Sequence, residues 1–153
     1  MLLKLLRMSA RLFLRAVFLV LLTSLPVQDA AAGPGDVQVR LLFAGQEARV
    51  VLKDTPAARG LCALLPLELT FEDYNATEKI AVLPKRLSIG ESPTICDPEP
   101  GTLAYFIPWG NLAIFYRDFR LSRNLVPLGR VVSGLEALGS MQGDFLLRME
   151  RVQ

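Results

Sequence analysis

The chain has no histidine anywhere in its 153 residues. That removes the commonest general base and any Cys–His nucleophile pair. Cysteine is nearly absent too. Cys62 and Cys96 are the only two, neither has a second thiol nearby, and a zinc site is not expected. No Gly-x-Ser-x-Gly elbow, phosphate-binding P-loop or dinucleotide fingerprint occurs. An enzyme built on this chain would rest on carboxylates, tyrosine or arginine alone, with no cofactor and no metal. Tryptophan occurs once, as Trp109.

Charge of one sign is also scarce. The 17 Lys+Arg and 15 Asp+Glu give a net charge of +2. Four of the basic residues, Lys4, Arg7, Arg11 and Arg15, precede the apolar run that starts at Ala16 and is stopped by Pro26. Ala30, Ala31 and Ala32 then offer small residues for a signal peptidase. That order is the pattern of a secretory signal peptide over residues 1–32. The alternative is a membrane anchor, but the charge-free run is short against the roughly 20 residues a spanning helix needs. The expected location is therefore periplasmic or secreted, with membrane contact only through an uncleaved leader. Residues 33–153 carry 13 basic and 14 acidic residues, a net charge of −1. A nearly neutral body does not suit nucleic acid, which requires clustered cations.

The 121 residues after the leader suffice for one domain with one core. Alternation of apolar and polar residues predicts a hairpin of strands over 37–43 and 48–52. Asp54 or Thr55 can cap a helix over 56–65, with Pro56 in its first turn. Ala58, Leu61, Cys62 and Leu65 share one face of it. Further strands are predicted over 67–71, 78–83, 103–107, 112–116, 125–132 and 145–149, and a helical turn over 134–138. Residues 84–101 hold four prolines and two glycines and predict a long loop. Residues 117–124 predict a polar loop. About eight short strands and two short helices in one small domain predict a mainly β fold, a closed and mostly antiparallel barrel. The helix over 56–65 is expected to cover one end.

Leu128-Gly-Arg-Val-Val-Ser-Gly-Leu135 resembles the cyclophilin segment Phe-Gly-Lys-Val-Val-x-Gly-Met, which follows the catalytic-site histidine of that family. Other blocks lie in matching order. They are Thr55-Pro-Ala-Ala-Arg59, Leu64-Leu-Pro-Leu67, Leu69-Thr-Phe-Glu-Asp-Tyr74, Thr77-Glu-Lys-Ile80 and Pro108-Trp-Gly-Asn-Leu-Ala-Ile-Phe-Tyr116. Together they resemble bacterial cyclophilin-like domain proteins, from about Val37 to Val152. The resemblance implies a cyclophilin-type barrel over 33–153. It does not carry over isomerase chemistry residue by residue. The Phe-His-Arg segment that supplies the cyclophilin arginine is missing, the histidine position falls on Leu125, and the Gln-Phe-Phe strand aligns with Leu112-Ala113-Ile114.

Two functions are therefore carried forward. One is an exported, non-catalytic binding module for a small molecule or peptide. The other is a divergent peptidyl-prolyl isomerase acting on exported proteins. Tyr74, Tyr105, Trp109 and Asn111 are the candidate walls of a cleft beside the Pro108-Trp-Gly-Asn111 turn; Trp109 could equally plug the barrel rim, and Asn111 could merely hold the turn. Arg59 and Arg123 are candidate substitutes for the missing arginine, or solvated surface cations. Cys62 and Cys96 could form a disulfide worth about 3–4 kcal/mol, or stay as thiols. Glu72, Asp73 and Glu78 lie close enough in sequence to be considered as acid–base groups or hard-cation ligands, although no calcium-loop pattern surrounds them.

Overall fold

The computed structural model describes residues 35–152. The leader expected over 1–32 lies outside the described residues. Among those described, no helix is long and apolar enough to cross a membrane.

Ten strands and two helices follow in order: β1 (Val37–Phe43), β2 (Gln46–Leu52), α1 (Pro56–Leu64), β3 (Leu67–Tyr74), β4 (Glu78–Val82), β5 (Ile95–Cys96), β6 (Thr102–Phe106), β7 (Asn111–Phe115), β8 (Ser122–Arg123), β9 (Leu125–Ser133), α2 (Leu135–Ser140) and β10 (Phe145–Arg151). Eight strands close into an all-antiparallel barrel in the order β1-β10-β3-β4-β7-β6-β9-β2, while β5 and β8 pair outside it. The expected mainly β barrel with two helices is what forms. The long loop and the polar loop each contribute one strand of the small outer ribbon.

The strand alternation sorts residues onto two faces. Val39, Leu41 and Phe43 of β1 point inward with Ala48, Val50 and Leu52 of β2. Leu103 and Tyr105 of β6, Leu112 and Ile114 of β7, and Val126 and Leu128 of β9 join them in the barrel core. The opposite face of the same strands forms a second apolar cluster outside the barrel: Ile80, Ala104, Ala113, Phe115 and Leu125, with Cys96 of the ribbon.

α1 starts at Thr55, whose Oγ1 accepts from the Ala58 N–H at 3.3 Å, with Pro56 in the first turn. Ala57, Ala58 and Leu61 enter the core. α1 follows Leu52, whereas α2 begins at Gly134 against Glu47 and Ala48, so the helices cover opposite ends of β2.

Two glycines of β9 and its exit allow closure. A Cβ at Gly129 would lie 2.3 Å from the Val51 carbonyl oxygen. Gly134 has φ +78°, and a Cβ there would lie 2.6 Å from the Glu47 carbonyl oxygen. Pro127 sits beside the register shift between Leu103 and Ala104, where the ladder tolerates a missing donor.

One inward residue of β4 is charged. Lys79 is only 1% exposed. Its ammonium donates to Asp73 Oδ1 and to the Met141 carbonyl, both at 2.6 Å, and lies 5.0 Å from the centre of the Tyr116 ring. The Tyr116 hydroxyl donates to the same Asp73 oxygen at 2.7 Å. Burial pushes the Asp73 carboxyl up, but the Lys79 and Tyr116 hydrogen bonds and the Lys79 charge outweigh it and hold it below the usual range. Burial, followed by the bond to Asp73, pushes the Tyr116 hydroxyl up to about 12. The cluster ties the end of β3 to α2 through a fully partnered buried cation.

Gly129→Ala forces a side chain into backbone with nothing flexible to yield. It should cost about 3 kcal/mol in urea unfolding, whereas Gly45→Ala, where no atom lies within 4 Å of the added Cβ, should show only the smaller penalty of its left-handed backbone.

Candidate functional site

The outer apolar cluster is not fully covered. Between it and the β5–β8 ribbon lies a cleft of about 580 Å³. Its floor is Ile80 of β4, Asn111 and Phe115 of β7, Phe106 of β6 and Leu125 of β9. Tyr74, Trp109, Phe119, Leu121, Arg120 and Arg123 rise around it.

Trp109 is 52% exposed and stands edge-on between two rings. Its centre lies 5.6 Å from that of Tyr74 and 5.5 Å from that of Phe106, both at 85°. Such T-shaped contacts fix the indole while leaving a face open. Arg86 holds the turn from behind, donating to the carbonyls of Ile107 at 2.7 Å and Pro108 at 3.2 Å. The Gly110 N–H closes the turn onto the Phe106 carbonyl at 2.9 Å. Trp109 is therefore a positioned wall and not a buried plug.

Asn111 is 2% exposed and faces the cleft floor. Its Nδ2 donates to the Leu112 carbonyl at 3.0 Å, which fixes the orientation of the amide. Its Oδ1 is buried with no hydrogen-bond partner among the described residues. An orphaned buried acceptor costs about 1–3 kcal/mol.

Glu78 lies at the other end of the floor. It pairs with Phe115 across β4–β7, four residues along the strand from Asn111. Burial alone pushes its carboxyl up to about 7, with no neighbouring charge or hydrogen bond opposing it. Asp73, its sequence neighbour, is committed to Lys79 and Tyr116. The acidic residues expected to act together are thus divided between the two faces of the sheet. Among the described residues no group of three or more His, Cys, Asp or Glu could hold a metal ion.

Of the residues expected from the sequence, Tyr74, Trp109, Asn111 and Arg123 converge on this cleft. Tyr105 does not. It precedes the outward Phe106 by one position, so it points into the barrel, 1% exposed, and its hydroxyl accepts from the Leu87 N–H at 3.4 Å. Arg59 is elsewhere as well, on α1 and paired with Asp54. Cys62 and Cys96 are free thiols rather than a disulfide. Cys62 packs against the barrel core and Cys96 belongs to the outer cluster, so the barrel wall separates them. Of Leu112, Ala113 and Ile114, only Ala113 faces outward.

Glu78, Phe106, Phe115, Phe119 and Arg120 were not among the expected walls. The period-2 pattern of β4 and β7 could have placed Glu78 and Phe115 on the Asn111 face. Nothing local signals that Phe119 and Arg120 fold back over Phe115. Phe119 lies 5.9 Å from Phe115, centre to centre, and the Arg120 guanidinium 5.0 Å from the Phe119 ring.

A second cleft, of about 660 Å³, is lined by Arg40, Leu65, Pro66, Arg148, Glu150, Arg151 and Val152. Arg40 and Arg148 both pair with the one carboxylate there, Glu150, so these three side chains are already engaged with one another. It lacks aromatic walls and unpartnered buried groups, and the outer-face cleft is the better candidate.

Because the folded state holds the Glu78 proton more tightly than the unfolded chain, stability falls as pH rises from about 4.5 to about 7 and then levels. Relative to Glu78→Gln, the wild type should lose on the order of 1–2 kcal/mol across that window, after solvent screening of a half-buried group. Urea unfolding of both proteins over the range checks this; a difference independent of pH would contradict it.

Comparison with curated proteins returns no match. Among solved structures, a hypothetical protein of Archaeoglobus fulgidus, determined in solution, is similar at TM-score 0.63 and 20% identity, covering 78% of this chain and 98% of that one. That likeness concerns the fold. The family model described as the cyclophilin-like family matches residues 41–150, which spans all ten strands in part or whole and both helices, and the chain belongs to that family.

Proposed function

We propose that the chain is an exported binding module that holds a small molecule or a peptide segment in the outer-face cleft. The observation that carries this reading is Asn111, a residue of the cleft lining whose Oδ1 acceptor is buried without a partner among the described residues. A ligand N–H placed there would relieve the cost of that orphan, and the aromatic walls would cover the ligand's apolar surface. Export rests on residues 1–32, with their cationic start, apolar run and Ala30-Ala31-Ala32.

One observation favours a second reading, a divergent peptidyl-prolyl isomerase acting on exported proteins. Arg123 lines an apolar groove, which is where a cationic donor would have to lie to bond the amide of a bound proline. Against it stand the missing histidine and the missing Phe-His-Arg segment.

Trp109 is the single tryptophan, so its fluorescence reports on the cleft alone. Titration with a panel of short capped peptides and ring-bearing amides should find responders. Asn111→Ala should weaken them about five- to tenfold, the value of one hydrogen bond. A panel that never moves the emission would count against a binding cleft. In a protease-coupled assay on a proline-containing peptide we expect no acceleration. Turnover comparable with a true cyclophilin, lost in Arg123→Ala, would replace the first reading with the second.

Export has its own check. Mass spectrometry of protein recovered from the cell envelope or medium should find an N-terminus near Gly33; a full-length cytoplasmic species would refute it.

A further inference from the structure

The cleft has two distinct ends. Asn111 and Glu78 are four residues apart along paired strands, roughly 13 Å at about 3.3 Å per residue. Between them the floor is apolar, made by Ile80 and Ala113. Around Asn111 stand Phe106, Trp109 and Leu125. Arg123 belongs to that end too, because it precedes Leu125 by two residues and Leu125 pairs with Phe106, itself paired with Asn111. Around Glu78 stand Tyr74, Phe115 and Phe119.

At the Glu78 end the carboxyl and the aromatic rings both favour positive charge. The carboxyl has neither an ion-pair nor a hydrogen-bond partner among the described residues. The aromatic rings that line this end have electron-rich faces, and such faces favour organic cations over equally shaped neutral groups. Arg120, a cation of the cleft wall, is laid over Phe119 and makes no ion pair with Glu78.

We infer that the Glu78 end is a subsite for an organic cation, an alkylammonium or guanidinium group carried on an elongated apolar ligand whose acceptor-bearing end reaches Arg123. The inference rests on the reading of the cleft as a binding site. It adds the charge and the direction of the ligand: cation at Glu78, N–H donor near the middle or far end for Asn111, acceptor toward Arg123. A half-buried carboxylate left without a cation is poorly solvated, and a bound ammonium supplies the missing counter-charge.

The elements packed around Glu78 bring the other charged and titratable groups. β3 contributes Glu72 and Tyr74, the segment after β7 contributes Arg117 and Arg120, and Asp73, Lys79 and Tyr116 form the inward cluster on the far face. None of them opposes the rise of the Glu78 carboxyl to about 7. A cation that needs the ionised carboxylate should therefore bind more weakly as pH falls below that value.

The test compares 2-phenylethylamine, cationic throughout, with its neutral isostere 2-phenylethanol, followed by Trp109 fluorescence and by the carboxyl signal of Glu78 in nuclear magnetic resonance. The amine should bind at least about tenfold more tightly than the alcohol at about pH 8. Its affinity should fall by up to about tenfold per pH unit below about pH 7, and it should move the Glu78 titration midpoint downward. Glu78→Gln, which replaces an ill-solvated acid by a neutral amide and should fold normally, should abolish the preference while leaving the weak binding of the alcohol. Equal affinity for the two probes, no binding of the amine, or a preference that survives Glu78→Gln overturns the cation subsite. If the alcohol or the capped peptides still move Trp109, the cleft reading stands while this inference falls.

Discussion

The closure of the barrel depends on how near β9 can come to β2. At Gly129 the two backbones approach so closely that a single methyl group would overlap the Val51 carbonyl. At Gly134 the chain leaves β9 with positive φ and crosses directly over Glu47 and Ala48. These contacts fix the last seam of an eight-strand circuit. Everything on the far side inherits its position from that seam. β9 carries β6, β6 carries β7, and β7 carries β4, so the outward row of Asn111, Phe115, Phe106 and Leu125 is set by a close approach elsewhere in the barrel. The seam also accounts for the two glycines of Leu128-Gly-Arg-Val-Val-Ser-Gly-Leu135, which answer a steric demand of the fold.

The architecture was legible because it is written in short-range patterns. Val37–Phe43 and Gln46–Leu52 alternate cleanly, and a two-residue turn separates them. Thr55-Pro56 announces α1 in the same local way. The site was only half legible. Trp109 and Asn111 stand at a visible turn, and Tyr74 ends a visible strand. Tyr105 misled because β6 is apolar on both faces: Leu103, Ala104 and Tyr105 are all buried, so no alternation tells inward from outward. The cysteines were equally undetermined, since their relation depends on which side of the barrel wall each one occupies. Phe119 and Arg120 reach the cleft through a loop path that no local period encodes.

Lys79 and Glu78 show how one residue of register separates a partnered charge from an unpartnered one. Both are ionisable, both lie on β4, and they face opposite ways. Lys79 is enclosed more completely, yet the Asp73 carboxylate, the Met141 carbonyl and the Tyr116 ring supply everything a buried ammonium needs. A charge so fully partnered has no capacity left for a ligand, and its role is to join β3 to α2. Glu78 is less buried but has no partner among the described residues. Burial alone would single out Lys79; the unmet demand for a partner singles out Glu78.

The same criterion separates the two clefts. The larger one holds more charge, but Glu150 accepts from both Arg40 and Arg148, and those hydrogen bonds hold its carboxyl below the usual range. Three of its charged groups are thus engaged with one another before anything binds. In the aromatic cleft the polar groups are few, and two of them, Asn111 Oδ1 and the Glu78 carboxyl, remain unanswered at opposite ends of an apolar floor. A folded chain bears the cost of such groups against the modest margin by which it is stable. Here the barrel meets that cost on a rigid sheet, where the distance between the two groups is set by strand geometry. That places a length requirement, as well as a polarity, on whatever fits between them.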